Sequence, residues 1–304
     1  MRYWRSALTA SLLAALSGTV PASAQEGDPA VLAMMRDVNA RLKAAGQRVA
    51  VEQIEFFTIG VGRPANRLHQ QEFRWVAFDP RRAADGDNIT YIVDQSGGAT
   101  ASGLTSAQTE AAIDRALTTW GTSEACLKGV DIVKRTDPVH DVTIFDEFFP
   151  GFDDDPPAAG DPFAADIVNA GWRPRAFFEA VGGPGGGRGI LAFSVTFIFT
   201  DGNGNPTDIN GDNYLDTALN EVYYNNTFGQ AGTDRAGNPW AIDQRLPSID
   251  VETVALHENG HSLELGHFGP PPAAVMNPVY AGIRHLPLAV DHAGMCTVWS
   301  SWPK

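Results

Sequence analysis

The sequence predicts an α+β domain organised around a helix that carries metal ligands. Three observations predict it. Short β-prone runs alternate with amphipathic helical stripes, no internal repeat divides the 304 residues, and one helical segment places two histidines four residues apart. With 43% hydrophobic and 19% charged residues the balance is that of a globular chain able to bury one large core or two modest ones.

The first 24 residues stand apart. Arg2 and Arg5 precede the apolar run from Ala7 to Leu16, and Ala22-Ser23-Ala24 supplies the small residues of a cleavage point, so removal near Ala24 is expected. The product is expected to be secreted or periplasmic and to begin near Gln25. The apolar run is shorter than the ~20 residues a bilayer span needs, and no later run replaces it, so no membrane span is expected. Loss of two arginines and no acid takes the formal net charge of -14 two units further negative, which argues against a nucleic-acid partner. The acidity reads as solubility for an exported protein. The only cysteines, Cys126 and Cys296, are expected to form one disulfide in an oxidising compartment, stabilising by ~4 kcal/mol if unstrained.

From Ala30 to Ala44, Val31, Met34, Met35, Val38 and Leu42 recur at helical spacing, and VAVEQIEFFTIG after them is a strand. FRWVAFD is a second short strand, followed by a polar connection from Asp79 to Asn88. ITYIV (89–93) is a strand. Thr105 to Trp120 is a helix, with Ala112, Ile113, Ala116, Leu117 and Trp120 on one stripe and Ser106 as its cap. VDIVKR and VTIF read as strands, FPGFDDDPPAAGDPF as a long loop, and ADIVNAGW as another strand. The glycine-rich VGGPGGGRG leads into ILAFSVTFIF, the most strand-like run of the chain. It is not a phosphate loop, since it lacks the GK[ST] ending and precedes a strand. EVYYNNTF is a further strand. Between these last two strands Asp201, Asn203, Asn205, Asp208, Asn210, Asp212 and Asp216 offer alternating oxygens that suit either a calcium loop or a polar turn. An EF-hand begun at Asp208 would need glycine at Asn213 and glutamate at Leu219.

HENGHSLELGH (257–267) carries the chemistry. Ser248 and Asp250 are candidate caps of a helix through VETVALHENGHSLEL, which sets His257 and His261 on one face. A catalytic zinc takes three protein ligands and keeps one position open. Glu264 lies ~10.5 Å along the axis from His257, too far to share one ion on a straight helix, whereas His267 reaches the metal if the chain turns sharply after about Leu263. His257, His261 and His267 are therefore the expected ligands. Glu258, beside the open position, is the expected general base.

This motif, followed by AAVMNPVY with Met276 nine residues past His267, resembles the metzincin metallopeptidases, and most closely their matrixin branch. ITYIV, the Thr105 to Trp120 helix, ADIVNAGW, GGPGGGRGILAFS, EVYYN and VDHAGMCTVW are similar to successive elements of that catalytic domain. The resemblance spans roughly Ile89 to Trp299. It implies a twisted, mostly parallel sheet with an antiparallel edge strand, an active-site helix bearing HExxH, Met276 in a tight turn beneath the zinc, and a C-terminal helix. It also implies hydrolysis of internal peptide bonds in protein or peptide substrates by a monomer. Substrate would extend beside Ile190, Leu191, Ala192 and Phe193, with Tyr280 lining the pocket after the cut or simply filling core. Two departures matter. No histidine lies between His140 and His257, so the family's structural zinc is not expected, with calcium at Asp201 to Asp216 as a substitute. Glu264 occupies the position of the family's glycine, where a left-handed backbone costs roughly 1–2 kcal/mol. Glu264 is expected to face away from the metal, with Gly266 sharing the bend.

Three segments follow: 1–24 as signal, 25–88 as an N-terminal extension and 89–304 as the catalytic domain. The extension is read as packed onto the domain rather than as a propeptide, because no cysteine precedes Cys126 to act as a switch. The competing readings are a zinc-containing module that binds peptides or proteins without cutting them, and a zinc hydrolase of a non-peptide bond.

Overall fold

The computed structural model describes residues 28–60, 65–66, 73–85, 87–94, 98–122, 130–136, 142–152, 161–300 and 302. The expected signal peptide and Cys126, partner of Cys296 in the expected disulfide, lie outside these residues. In chain order the elements are α1 (Pro29–Ala44), β1 (Val49–Thr58), β2 (Ala65–Asn66), β3 (Phe73–Trp75), a 3-10 helix (Pro80–Asp85), β4 (Ile89–Val93), α2 (Ser106–Gly121), β5 (Ile132–Lys134), α3 (Phe145–Phe148), β6 (Ile167–Arg173) and α4 (Arg175–Gly182). They continue with α5 (Gly186–Gly189), β7 (Ile190–Phe199), β8 (Leu215–Asn225), β9 (Trp240–Ala241), β10 (Ile249–Asp250), α6 (Val251–Ser262), β11 (Phe268–Gly269) and α7 (Ala289–Trp299).

One seven-stranded sheet organises them, in the order β1-β7-β8-β6-β4-β5, with β3 also pairing β8. All pairs are parallel except those of β7, which runs antiparallel to both β8 and β1. This is the mixed α+β architecture that the resemblance implies. The expected extension is not a separate body: α1, β1 and β3 belong to the same sheet and core.

Alternation along the strands fills two layers. On one face Phe57, Leu191 and Val222 pack with Ile113, Leu117 and Trp120 of α2, Val254 and Leu256 of α6, and Val298 and Trp299 of α7. On the other, Phe56, Phe193 and Tyr223 pack with Val31, Val38 and Leu42 of α1 and with Phe177 and Phe178 of α4. Among the described residues no helix is long and apolar enough to cross a membrane.

Several local expectations are corrected. Thr105, not Ser106, caps α2, in a reciprocal capping box with Gln108. VTIF is not a strand: the carboxylate of Glu221 accepts the amides of Ile144 and Phe145 at 2.6 and 3.0 Å, which satisfies them without a neighbouring strand and lets α3 start at Phe145. The polar connection after Asp79 contains the 3-10 helix, whose Arg82 is wholly buried and donates to Asp166 at 2.7 Å. Asp166 also accepts the amide and hydroxyl of Thr90 on β4.

Removing one partner of a buried ion pair leaves an uncompensated charge. Asp166→Ala is therefore expected to destabilise the chain by about 3–5 kcal/mol in urea unfolding. A loss below about 1 kcal/mol, the range of an exposed pair, would contradict that reading.

Candidate metal centre

Helix α6 is buried on every side, so its length and ends are set by contacts. At its start the Asp250 side chain accepts the Thr253 amide at 2.8 Å and the Thr253 hydroxyl, so Asp250 rather than Ser248 is the cap. At its end Leu265 N donates to Gly260 O at 3.0 Å and Glu264 N to His261 O at 2.8 Å, the paired bonds of a Schellman motif. That motif places its turning residue in the left-handed region, and Glu264 is there with φ 69°. Gly266 does not share the bend, since it lies outside the positive-φ residues. Glu264 turns away from the histidines and accepts the backbone amide of Trp75 on β3. The Trp75 indole donates to Ser262 O at 2.9 Å and the Trp299 indole to Leu263 O at 2.9 Å, so two tryptophans satisfy the last carbonyls of the helix.

The turn brings His267 back beneath α6. The Nε2 atoms of His257, His261 and His267 lie 3.1–3.2 Å from one another. Each ring's other nitrogen meets an oxygen: His257 Nδ1 lies 2.8 Å from Val275 O, His261 Nδ1 2.8 Å from Leu265 O, and His267 Nδ1 3.2 Å from Glu55 Oε2. Backbone carbonyls and a carboxylate accept only, which assigns the proton to Nδ1 in all three rings. Three Nε2 lone pairs then face one point. Such an arrangement repels itself without a cation, and bonds of about 2 Å from these positions meet at angles of about 100°, close to tetrahedral. The residues fit zinc. Burial, then the neighbouring His261 and His267, holds the His257 ring well below its usual pKa and keeps it neutral, the form that binds metal.

Met276 sits where the turn was expected. Its sulfur packs against Gly260 of α6, where a Cβ would collide with it. Asp291 of α7 accepts the amides of Val275 and Met276 at 2.9 and 3.1 Å and so fixes the turn to the C-terminal helix. Glu258 is 0% exposed, and neither carboxylate oxygen has a hydrogen-bond partner of good geometry among the described residues. Burial, then the charge of Glu55, pushes its pKa well above the carboxylate range, and the nearby Phe57 amide opposes the rise.

Two residues of this site escape a reading of the motif. Glu55 touches His267, and Phe57 stacks on His257 with ring centroids 3.8 Å apart and planes 10° from parallel. Both come from β1. The signal was present: Glu55 is an acid inside an apolar strand, which demands a buried partner. β1 also pairs along the side of β7 that substrate was expected to join, with Phe56, Phe57 and Thr58 opposite Phe193, Ala192 and Ile190. Ile190, Leu191, Ala192 and Phe193 are all buried. Tyr280 is buried too, its ring 6.0 Å from that of Phe57 and its hydroxyl accepting the Asp250 amide.

The acidic loop behaves differently from a calcium site. Asp201 accepts the amides of Asn203 and Asn205, whose hydrogen bonds, led by the Asn205 side chain, hold its pKa down at about 2. Asp208 accepts the amides of Asp212 and Asn213, Asp212 pairs with Asn210 and the Tyr214 amide, and Asp216 accepts Thr207 and Ile209. The four carboxylates do not converge. Among the described residues the groups able to hold a metal are the histidine triad and Asp243, Asp250 and His285. The loop is a polar turn closed by its own side chains, and calcium is unsupported.

Residues 194–298 match the family model described as Matrixin. The chain carries a matrixin-like metzincin domain. The match runs from Ser194 of β7 through the histidine triad and Met276 to Val298 of α7, and it supports a zinc metallopeptidase. Glu55, Phe57 and Trp75, which contact the matrixin-like helix α6 and His267, precede the matched span. No curated protein matches the chain.

Glu264 yields two expectations. Its pKa is raised by burial to about 8, against 4.5 when exposed. The folded chain therefore holds this proton longer than the unfolded one, and the contribution is full below about pH 4.5 and lost as pH rises to about 8. Glu264→Gln is expected to flatten that part of the stability-against-pH curve in denaturant titrations. Glu264→Gly relieves about 1 kcal/mol of backbone strain but strands the buried Trp75 amide at about 1–3 kcal/mol. It is expected to lower stability while zinc stoichiometry stays at one per chain. Loss of the metal in this variant would make Glu264 a ligand.

Proposed function

We propose that the chain is an exported zinc endopeptidase in which His257, His261 and His267 hold the metal and Glu258 is the general base. The observation that supports it most is the convergence of three unprotonated Nε2 atoms one residue away from a buried, unsatisfied carboxylate. When bound, zinc supplies a Lewis acid for the peptide carbonyl and for water. Glu258, one residue from His257, would be held in its charged form beside that cation. Glu258 accepts a proton from water and delivers it to the leaving amine. Val275 O, Leu265 O and Glu55 keep the imidazoles in one tautomer and orientation.

Two backbone rails support an extended substrate. In this structure both are occupied by β1, which pairs antiparallel with β7 on one side and, through Thr58, bonds to Pro278 O and Tyr280 N on the other. A chain held between rails has no bound terminus, so cleavage falls at internal bonds. A binding module would gain nothing from a buried carboxylate without partners, which costs free energy unless it is used. The signal before Gln25 and the Cys126 to Cys296 bridge belong to the same reading and rest on sequence.

The test is hydrolysis of an unfolded protein by the chain from Gln25 to Lys304. Glu258→Ala is expected to reduce the rate by about 10²–10⁴-fold while retaining one zinc per chain, and a chelator is expected to abolish it. Undiminished cleavage by Glu258→Ala would remove Glu258 from the mechanism.

A further inference from the structure

The strand that fills the cleft is itself a peptide in register with both rails. β1 pairs with β7 from Val49 to Thr58, with register shifts between Val51 and Gln53 and between Phe57 and Thr58. Beyond it, Thr58 N donates to Pro278 O at 3.3 Å, Tyr280 N donates to Thr58 O at 2.8 Å, and Ile59 N donates to Gly189 O at 2.8 Å. The segment is thus antiparallel to β7 on one side and in parallel bridge contact with Val279 on the other.

Its side chains locate the bond that crosses the metal point. Glu55 contacts His267 on one flank of the triad, and Phe57 stacks on His257 on the other, with Tyr280 at its edge. Between them runs the Phe56–Phe57 peptide. Thr58, the next residue, is already held by Pro278 O and Tyr280 N, which leaves the peptide before Phe57 between the His267 and His257 contacts. Phe56 points through the sheet and packs against Phe193, so its ring anchors the strand from the opposite layer.

We infer that Gln53 to Ile59 is the chain's own first substrate, seated across the triad and cut between Phe56 and Phe57. This rests on the endopeptidase reading above and extends it to substrate class: an extended peptide with an aromatic residue immediately after the cut. In the reaction, water's oxygen bonds to the Phe56 carbonyl carbon and the C–N bond to Phe57 breaks. Both water protons end on the Phe57 nitrogen, leaving a Phe56 carboxylate and a Phe57 ammonium. The uncut segment blocks the cleft, because the rails it occupies are those another peptide would use. After the cut, Val49, Val51, Ile54 and Phe56 still pack with Val31, Val38 and Leu42 of α1, so the two pieces separate under denaturing conditions and stay together in the fold.

The experiment follows the intact mass of the chain from Gln25 to Lys304, prepared with chelator and started by adding zinc, at several protein concentrations. Two fragments meeting at Phe56 and Phe57 are expected, formed at a first-order rate independent of concentration and absent in Glu258→Ala. A second readout needs no turnover. In Glu258→Ala, which keeps the segment uncut, zinc is expected to pass to a coloured chelator about 3- to 10-fold more slowly than in the Glu258→Ala, Phe57→Gly double variant, from which the stacked ring is gone. A chain that stays intact yet hydrolyses added unfolded protein would overturn this inference and leave the endopeptidase reading in place. Cleavage at another bond, a rate that rises with concentration, or equal zinc release from the two variants would overturn it as well. An intact chain that also leaves added protein uncut, with one zinc bound, would overturn both.

Discussion

Three imidazole lone pairs aimed at one point are tolerable only with a cation between them, and much of the structure serves to hold them there. Two come from one face of α6 and need only helical spacing. The third demands that the helix stop within one residue of a set place, and the Schellman turn at Glu264 stops it. Trp75 and Trp299 take the terminal carbonyls, Asp291 fixes the turn that carries Met276, and Val275 O, Leu265 O and Glu55 orient the rings. These contacts draw on β1, β3, α6 and α7, so the centre forms only when both ends of the chain have packed.

That dependence explains what the sequence discloses. His257, His261, Glu258 and the need for a turn before His267 are legible because ligand spacing on a helix is local. The layered α+β core is legible in the same way, from stripes such as Ile113 to Trp120 and runs such as ILAFSVTFIF. What is not legible comes from far along the chain. Glu264 visibly lacks the glycine's freedom, but its partner Trp75 lies 189 residues earlier. VTIF has strand composition, and only the buried Glu221 carboxylate makes it otherwise. Alternating oxygens in the Asp201 to Asp216 loop read equally as ligands or as turn-formers, because both uses employ the same side chains.

The N-terminal extension changes the meaning of the domain. Read from the motif alone, β7 is a free rail and the cleft is open. In the folded chain β1 continues the sheet past β7, α1 covers its outer layer, and Phe57 occupies the space above His257. Substrate recognition, access to the metal and the stability of the sheet thus share one strand, and a substitution in β1 acts on all three.

On this reading the three Nε2 atoms hold one metal without help from Glu264. Diffraction from crystals of the zinc-loaded chain, recorded on both sides of the zinc absorption edge, tests it most directly. A single anomalous peak is expected about 2 Å from each of the three nitrogens, with Glu264 turned toward Trp75. A peak coordinated by Glu264, or full zinc occupancy elsewhere with the triad empty, would contradict it.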